Sequence, residues 1–255
     1  MDLRFDVSKV QGYSSKSQIS RLLTENWVEK NIYCPNCGND RIVKFENNRP
    51  VADFFCDFCR EEYELKSKSK SFGHKVPDGA YQMMIGRISS NNNPNFLFLK
   101  YNIDYLTVEN LFIVSKFYFV ARLIEKRKPL SSAARRAGWI GCNILIGQVP
   151  QNGRLYLVRD YKEVPKENVI KKWKQGTFLR EQNEDSRGWL LDIMNCVDAI
   201  QKDEFTLDDV YRFEENLKML HPNNNFIRDK IRQQLQLLRD KGVLEFVSRG
   251  VYRKI

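Results

Sequence analysis

Apolar residues recur along this chain with two different periods. Over residues 18–30, Ile19, Leu22, Leu23 and Trp27 fall on one side of a 3.6-residue repeat, which predicts an amphipathic helix. Residues 96–101, 110–120 and 154–158 are rich in β-branched and aromatic side chains and predict strands. Residues 78–87 read as a helix between strands, stopped by the breaker Asn91-Asn-Asn-Pro94. Helices mixed with strands predict the α/β (α+β) class.

Further along, Thr206 is a good cap for a helix over residues 207–220, and His221-Pro222 interrupts it. Asn225 opens a helix that runs to about residue 241, where Gly242 terminates it. Its buried stripe is Ile227, Ile231, Leu235 and Leu238. Val243-Leu-Glu-Phe-Val and Val251-Tyr-Arg-Lys-Ile then flank Ser248-Arg249-Gly250 as a hairpin, so the order is that of a winged helix. The polar stretch 181–187 lacks periodicity and divides the chain into a first unit, 1–182, and a second, 183–255.

With 255 residues, 42% hydrophobic and 12% aromatic, the chain has material for a real core, which excludes a disordered tail. No apolar run approaches the ~18 residues of a membrane span. The opening Met-Asp-Leu-Arg-Phe-Asp is acidic and lacks an apolar stretch, so no secretory signal is read there and a cytoplasmic protein is expected. Lys+Arg exceed Asp+Glu by 42 − 32 = 10. Residues 1–182 hold 30 basic and 19 acidic residues, residues 183–255 hold 12 and 13, and from His221 onward the count is 8 to 3. Such a surplus suggests a polyanionic partner, although charge alone also fits a solvated surface.

Six cysteines in a reducing compartment favour metal binding over disulfides. Cys34-Pro-Asn-Cys37 and Cys56-Asp-Phe-Cys59 are two CxxC pairs with 18 residues between them. Each pair aims two thiolates at one point, and the four together suit a tetrahedral zinc. Four thiolates leave no open coordination position, so this Zn²⁺ would be structural. Cys142 and Cys196 fall outside the pattern and read as core residues.

The second CxxC joins two strand-like arms, Pro50-Val-Ala-Asp53-Phe-Phe and Glu62-Tyr63-Glu64-Leu65-Lys66-Ser-Lys68. Period-2 alternation puts Glu64 and Lys66 on one face and Tyr63 and Leu65 on the other. An antiparallel hairpin would set Asp53 opposite residues 62–64, bringing two carboxylates and an ammonium together. Two carboxylates suit a hard divalent cation, and the lysine suits the charge of a phosphodiester in hydrolysis. The same trio also fits a charged solvent face, because D…ExK is a short pattern.

At these residues the chain resembles the PD-(D/E)xK nucleases, and more closely the DpnI-type methyl-directed restriction endonucleases. The similarity includes Tyr33-Cys-Pro-Asn-Cys-Gly38, Phe45-Glu-Asn-Asn-Arg-Pro-Val-Ala-Asp53, Glu64-Leu-Lys-Ser-Lys68, Arg135-Arg-Ala-Gly-Trp-Ile-Gly-Cys-Asn143 and Ile231-Arg-Gln-Gln-Leu-Gln236. The resemblance implies a PD-(D/E)xK nuclease domain with an inserted four-cysteine zinc site, followed by a winged-helix domain. It implies Mg²⁺-dependent cleavage of both strands of duplex DNA at GATC carrying N6-methyladenine. Asp53 and Glu64 would bind the Mg²⁺, the Leu65 carbonyl would add a ligand, and Lys66 would assist the water. An acidic residue often joins from the first helix in this superfamily, and Glu25 is the candidate. Ala52 stands where the motif name has Pro.

For DNA contact, Arg135, Arg136 and Trp139 form a basic and aromatic segment between glycines, and Asn143 closes that block. A core tryptophan beside surface arginines is the competing reading. In the second unit Asn225, Arg228, Arg232, Gln233 and Gln236 lie around the polar face of the last helix, with Arg249 on the hairpin. Arg and Gln pair with base edges in a major groove, and Arg249 suits phosphate. An ordinary helical appendage would show a similar polar face. No dimerisation helix is evident, so a monomer that nicks each strand in turn is expected, with no membrane and no obligatory protein partner. Two rivals remain: a non-catalytic regulator that binds methylated DNA through an inactive nuclease fold, and an RNA-processing nuclease.

Overall fold

A computed structural model describes residues 1–46 and 52–255. Pro50 and Val51 of the first predicted arm lie outside the described residues. In chain order the first unit contains α1 (Lys16–Asn31), β1 (Val43–Lys44), β2 (Phe54–Phe55), β3 (Glu62–Lys68), β4 (Val76–Ala80) and α2 (Tyr81–Ser89). It continues with β5 (Asn95–Asn102), β6 (Thr107–Val114), β7 (Ile124–Lys126), β8 (Gly141–Ile144), β9 (Leu155–Arg159), β10 (Lys162–Glu163) and α3 (Lys166–Gly176). After α4 (Glu184–Ala199) come β11 (Glu204–Thr206), α5 (Leu207–Tyr211), α6 (Glu214–Leu220), α7 (Ile227–Asp240), β12 (Leu244–Ser248) and β13 (Val251–Lys254).

Among the described residues, seven strands form one mixed sheet in the order β1-β2-β3-β5-β6-β9-β10. Only the β3–β5 pair in it is parallel, with Glu64 opposite Phe96 and Lys66 opposite Phe98. Strand alternation divides the sheet into two cores. Leu97, Leu99, Leu111 and Ile113 face one way and pack with Leu23, Trp27 and Val28 of α1 and Val169 and Trp173 of α3. Phe96, Phe98, Phe112 and Val114 face the other way. That second core runs without a break through Leu190, Leu191 and Ile193 of α4 to Ile231, Leu235 and Leu238 of α7 and Tyr252 of β13. Mixed α/β architecture is therefore observed.

A smaller sheet, β4-β8-β7, covers part of the same face, and a third, β11-β13-β12, forms the wing. Thr206 caps α5 in a reciprocal box with Asp209, which satisfies two otherwise orphaned amides. Gly242 (φ +68°) ends α7 and Gly250 (φ +75°) turns the wing hairpin, both left-handed positions that favour glycine.

Several expectations are corrected. Residues 78–80 are strand, not helix: β4 ends at Ala80 and α2 begins at Tyr81. Pro77 is tolerated because β4 is an edge strand, and its partner β8 lies too far along the chain for any local window to see. The strand expected over 110–120 ends at Val114, where Lys116–Tyr118 turns into a 3-10 helix. The helix expected over 207–220 breaks into α5 and α6 around Arg212 and Phe213. The last helix starts at Ile227, leaving Asn225 just outside it. Within the polar stretch 181–187, Glu181 ends a 3-10 helix and Asn183 caps the start of α4: its side chain accepts from the Ser186 amide at 2.8 Å, and Arg187 is 2% exposed.

Because α4 completes the core beneath the sheet, a large-to-small change there should be felt throughout. Leu191→Ala is expected to cost about 2–5 kcal/mol. Circular dichroism and tryptophan fluorescence during urea unfolding should lose stability together; a loss under ~1 kcal/mol would contradict a shared core.

Candidate active site and DNA-facing surfaces

The four cysteines meet as the spacing predicts. Among the described residues, Sγ atoms of Cys34, Cys37, Cys56 and Cys59 lie within 4.8 Å of one another. Cys34 Sγ is 3.5 Å from Cys59 Sγ, and Cys37 Sγ is 3.6 Å from Cys56 Sγ. A tetrahedron of sulfurs with bonds of about 2.3 Å has edges of about 3.8 Å, so the donor set fits zinc. Burial pushes the Cys34 thiol well above its usual range, so binding a cation there would release its proton.

Both knuckles use the same backbone. The Gly38 amide donates to Cys34 O at 2.8 Å and the Arg60 amide to Cys56 O at 2.9 Å. Each closing residue is left-handed, Gly38 at φ +81° and Arg60 at φ +63°. The knuckle also reaches the sheet, because Cys34 Sγ lies 3.1 Å from the hydroxyl of fully buried Tyr63. Asn36 adds a tie to the helix layer by accepting from Trp173 Nε1 at 3.1 Å.

Tyr63 immediately precedes the charged face of β3. β2 pairs antiparallel with β3, Phe54 opposite Tyr63 and Phe55 opposite Glu62. One residue earlier, the Asp53 amide donates to Tyr63 O at 2.9 Å. The Asp53 carboxylate then accepts from the Leu65 amide at 2.7 Å. Since a strand residue presents its N–H and C=O to the same edge, the Leu65 carbonyl faces the Asp53 side.

Glu64 and Lys66 share the opposite side chain face from Tyr63, with Lys66 Nζ 2.5 Å from Glu64 Oε1. The hairpin therefore brings Asp53, Glu64, Leu65 and Lys66 into one place. Burial raises the Asp53 carboxyl, opposed by the Leu65 amide and reinforced by the charge of Glu25. Burial also pushes Glu64 up to about 7; Lys66 opposes this, while Asp78 and Asp53 add to it. Burial works against the charge of Lys66 as well, but the neighbouring carboxylates outweigh it and hold the ammonium protonated. Two carboxylates and a carbonyl brought together on one hairpin are an oxygen donor set that could hold a divalent cation.

Two residues complete the surroundings. Glu25 is buried on α1 and paired with Lys44 at 2.7 Å and Arg21 at 3.3 Å. Asp78, which the sequence reading placed on a helix and gave no role, comes in from β4 with its Oδ1 2.5 Å from Lys66 Nζ. Its only sequence signal was a lone acid between Pro77 and Gly79.

The segment proposed to touch DNA adjoins the strand that bears Asp78. Cys142 pairs with Asp78 and Gly141 with Ala80 across β4–β8. Arg135 and Arg136 are exposed, and the Arg136 guanidinium sits 4.7 Å from the Trp139 ring centre. Trp139 folds over Gly141, where a Cβ would come within 2.7 Å of the indole. Asn143 instead donates to Glu125 at 2.7 Å.

In the second unit Asn225, Arg228, Arg232, Gln233, Gln236 and Arg249 are all exposed. Arg228 turns back to Glu214 at 2.7 Å, Arg232 to the Tyr211 hydroxyl at 2.9 Å, and Gln233 accepts from Lys230 at 2.8 Å. Among the described residues no helix is long and apolar enough to cross a membrane.

Comparison with protein families gives two matches. A model described as the Dam-replacing family (DpnI) matches residues 1–182. A model described as the Dam-replacing HTH domain matches residues 185–254, so the α5–α7 and wing region is a DNA-binding helix-turn-helix module.

Two tests follow from this geometry. Arg60→Gly should leave zinc content unchanged and raise stability by up to about 1 kcal/mol, whereas Gly38→Ala should lower it by a similar amount; equal melting temperatures for the two would contradict the paired knuckles. Glu64 keeps its proton in the folded state up to about pH 7, against 4.5 for an ordinary glutamate. Metal-free protein should therefore lose stability as pH rises through that window, and Glu64→Gln should flatten the loss. Parallel curves for wild type and Glu64→Gln would remove the buried-carboxyl assignment.

Proposed function

The chain belongs to the Dam-replacing family, and from that premise we propose that it is a methylation-dependent type II restriction endonuclease. Its substrate would be double-stranded DNA at GATC carrying N6-methyladenine, cut by Mg²⁺-dependent phosphodiester hydrolysis. The observation that carries this reading is the convergence of Asp53, Glu64 and Lys66 on one part-buried, charged spot of the β2–β3 hairpin. A protein that only bound methylated DNA would gain nothing from a lysine held among carboxylates that resist ionisation, and this favours the enzyme over an inactive regulator.

In the proposed reaction the Asp53 and Glu64 carboxylates and the Leu65 carbonyl would hold Mg²⁺, with the charged Lys66 ammonium beside them. When bound, the cation lowers the pKa of a coordinated water and neutralises phosphate charge. Lys66 donates hydrogen bonds to the attacking water and to the oxygens that gain charge in the transition state. Glu25, paired with Lys44 and Arg21, adds its negative charge to the field felt by Asp53. The four cysteine sulfurs would hold Zn²⁺ structurally, with no open position for substrate.

Specificity is assigned to two inspections. One methyl in an apolar pocket yields about 1–3 kcal/mol of discrimination, roughly 10–200-fold. Trp139 with Arg135 and Arg136 would make one reading beside the catalytic face, where the indole offers the methyl an apolar cover. Arg228, Arg232, Gln233 and Gln236 of α7, with Asn225 before it and Arg249 on the wing, would make the other in the major groove. Two such factors multiply, and tethering both readers in one chain raises local concentration. A single chain nicking each strand in turn is the proposed form.

Purified protein with Mg²⁺ should linearise or fragment plasmid grown with adenine methylation and leave unmethylated plasmid supercoiled. Asp53→Ala should abolish cutting and Lys66→Ala should slow it at least about 100-fold, both with DNA affinity largely kept. Cutting by the Asp53→Ala protein would contradict the assignment. In the full chain, Arg228→Ala and Gln236→Ala should each weaken binding to a methylated GATC duplex by about 1–3 kcal/mol. Unchanged affinity in both would remove α7 as a reader.

A further inference from the structure

We propose that Asp78 is the residue that positions Lys66 for hydrolysis, a role that deepens the nuclease reading above and rests on it. The Lys66 ammonium touches two carboxylates at the same distance, Glu64 Oε1 and Asp78 Oδ1, each at 2.5 Å. Those two partners are not equivalent. Glu64 is the carboxylate assigned to the cation, so it is the one drawn away when the site is loaded. Asp78 has no such competing duty. With Glu64 committed to the cation, Asp78 alone keeps the ammonium from swinging on its flexible four-carbon stem.

The way Asp78 is held suits this task. Its side chain is 6% exposed, so water competes little for the contact. β4 anchors the backbone on both sides: Val76 pairs with Ile144, Pro77 with Asn143 and Asp78 with Cys142. The Cys142 thiol donates to Gly79 O at 3.5 Å, and the Tyr81 amide to Ile140 O at 3.1 Å. From below, the Phe96 ring centre lies 5.8 Å from Nζ and closes the remaining side. Lys66 is thus gripped between the main sheet and the small one. The small sheet is also the one whose β8 follows the Trp139 segment, so β4, which holds the lysine, pairs directly with the strand that leads out of the proposed DNA-reading segment.

The test separates positioning from mere folding. Asp78→Asn should lower the single-turnover cleavage rate at saturating methylated DNA by about 100-fold, the loss typical of a misplaced group. DNA affinity measured with Ca²⁺ in place of Mg²⁺ should change less than about threefold. Added to Lys66→Ala, Asp78→Asn should cause no further loss, because its effect passes through the lysine. Asp78→Glu should recover part of the rate. Additive losses, or a rate within threefold of wild type, would overturn the proposal. An activity-independent readout is the Lys66 side-chain ammonium resonance in ¹H–¹⁵N spectra at saturating Ca²⁺. It should be protected from exchange in wild type and lost in Asp78→Asn; persistence in the variant would overturn the contact. If wild type fails to cut methylated plasmid although the resonance depends on Asp78, the nuclease reading falls, and the catalytic purpose of the contact falls with it.

Discussion

The site depends on the pairing of a two-residue strand, β2, with the end of β3, a match too short to fix its own register. β2 contributes two residues and matches only Tyr63 and Glu62 of β3. β1 on its other side adds only two more pairs, so this end of the seven-stranded sheet has little to hold its register against β3. The sulfur cluster supplies the missing constraint, since Cys56 and Cys59 form the turn between the arms and Cys34 reaches the Tyr63 hydroxyl at 3.1 Å. Fixing Tyr63 fixes the alternation after it. A slip of one residue in that pairing would carry Asp53 away from the Leu65 amide and so from Glu64 and Lys66.

With the register held, the two faces of one sheet do separate work. Aliphatic side chains on one face seal it against α1 and α3. On the other face, aromatic residues support the charged trio at one end and the helix-turn-helix unit through α4. Carboxylates in such surroundings resist ionisation, with Glu64 pushed up to about 7 by its burial. That resistance is what gives a cation a strong reason to bind. The structure sacrifices some stability at the site for chemical readiness.

Much of this was legible in the residues. Two CxxC pairs define a tetrahedral cluster by spacing alone, and period-2 alternation in Glu62-Tyr63-Glu64-Leu65-Lys66 assigned the faces correctly. The stripe Ile227, Ile231, Leu235 and Leu238 likewise named the buried side of α7. What escaped were contacts made across long sequence separations. Asp78 looked like the acidic start of a helix because Tyr81 onward is helical, and the strand pairing with residues 141–144 that overrides local propensity comes from far along the chain. The break between α5 and α6 escaped for the same reason: Tyr211 and Phe213 pack into the shared core instead of continuing a helix. The stretch 181–187 reads as polar because Asn183 and Glu184 make a cap, whereas the burial of Arg187 is set by Asn91, which its Nη1 meets at 2.9 Å.

If the sulfur clamp sets the register that lines up Asp53 with Glu64, opening the clamp must disperse the oxygen site. Titration of Mn²⁺ followed by electron paramagnetic resonance, on intact protein and on Cys37→Ser protein shown by far-ultraviolet circular dichroism to keep its helices, measures this directly. The account predicts a tight Mn²⁺ site in the intact protein, abolished by Asp53→Ala and weakened at least tenfold by Cys37→Ser. Equal Mn²⁺ affinity with the clamp closed and open would contradict it.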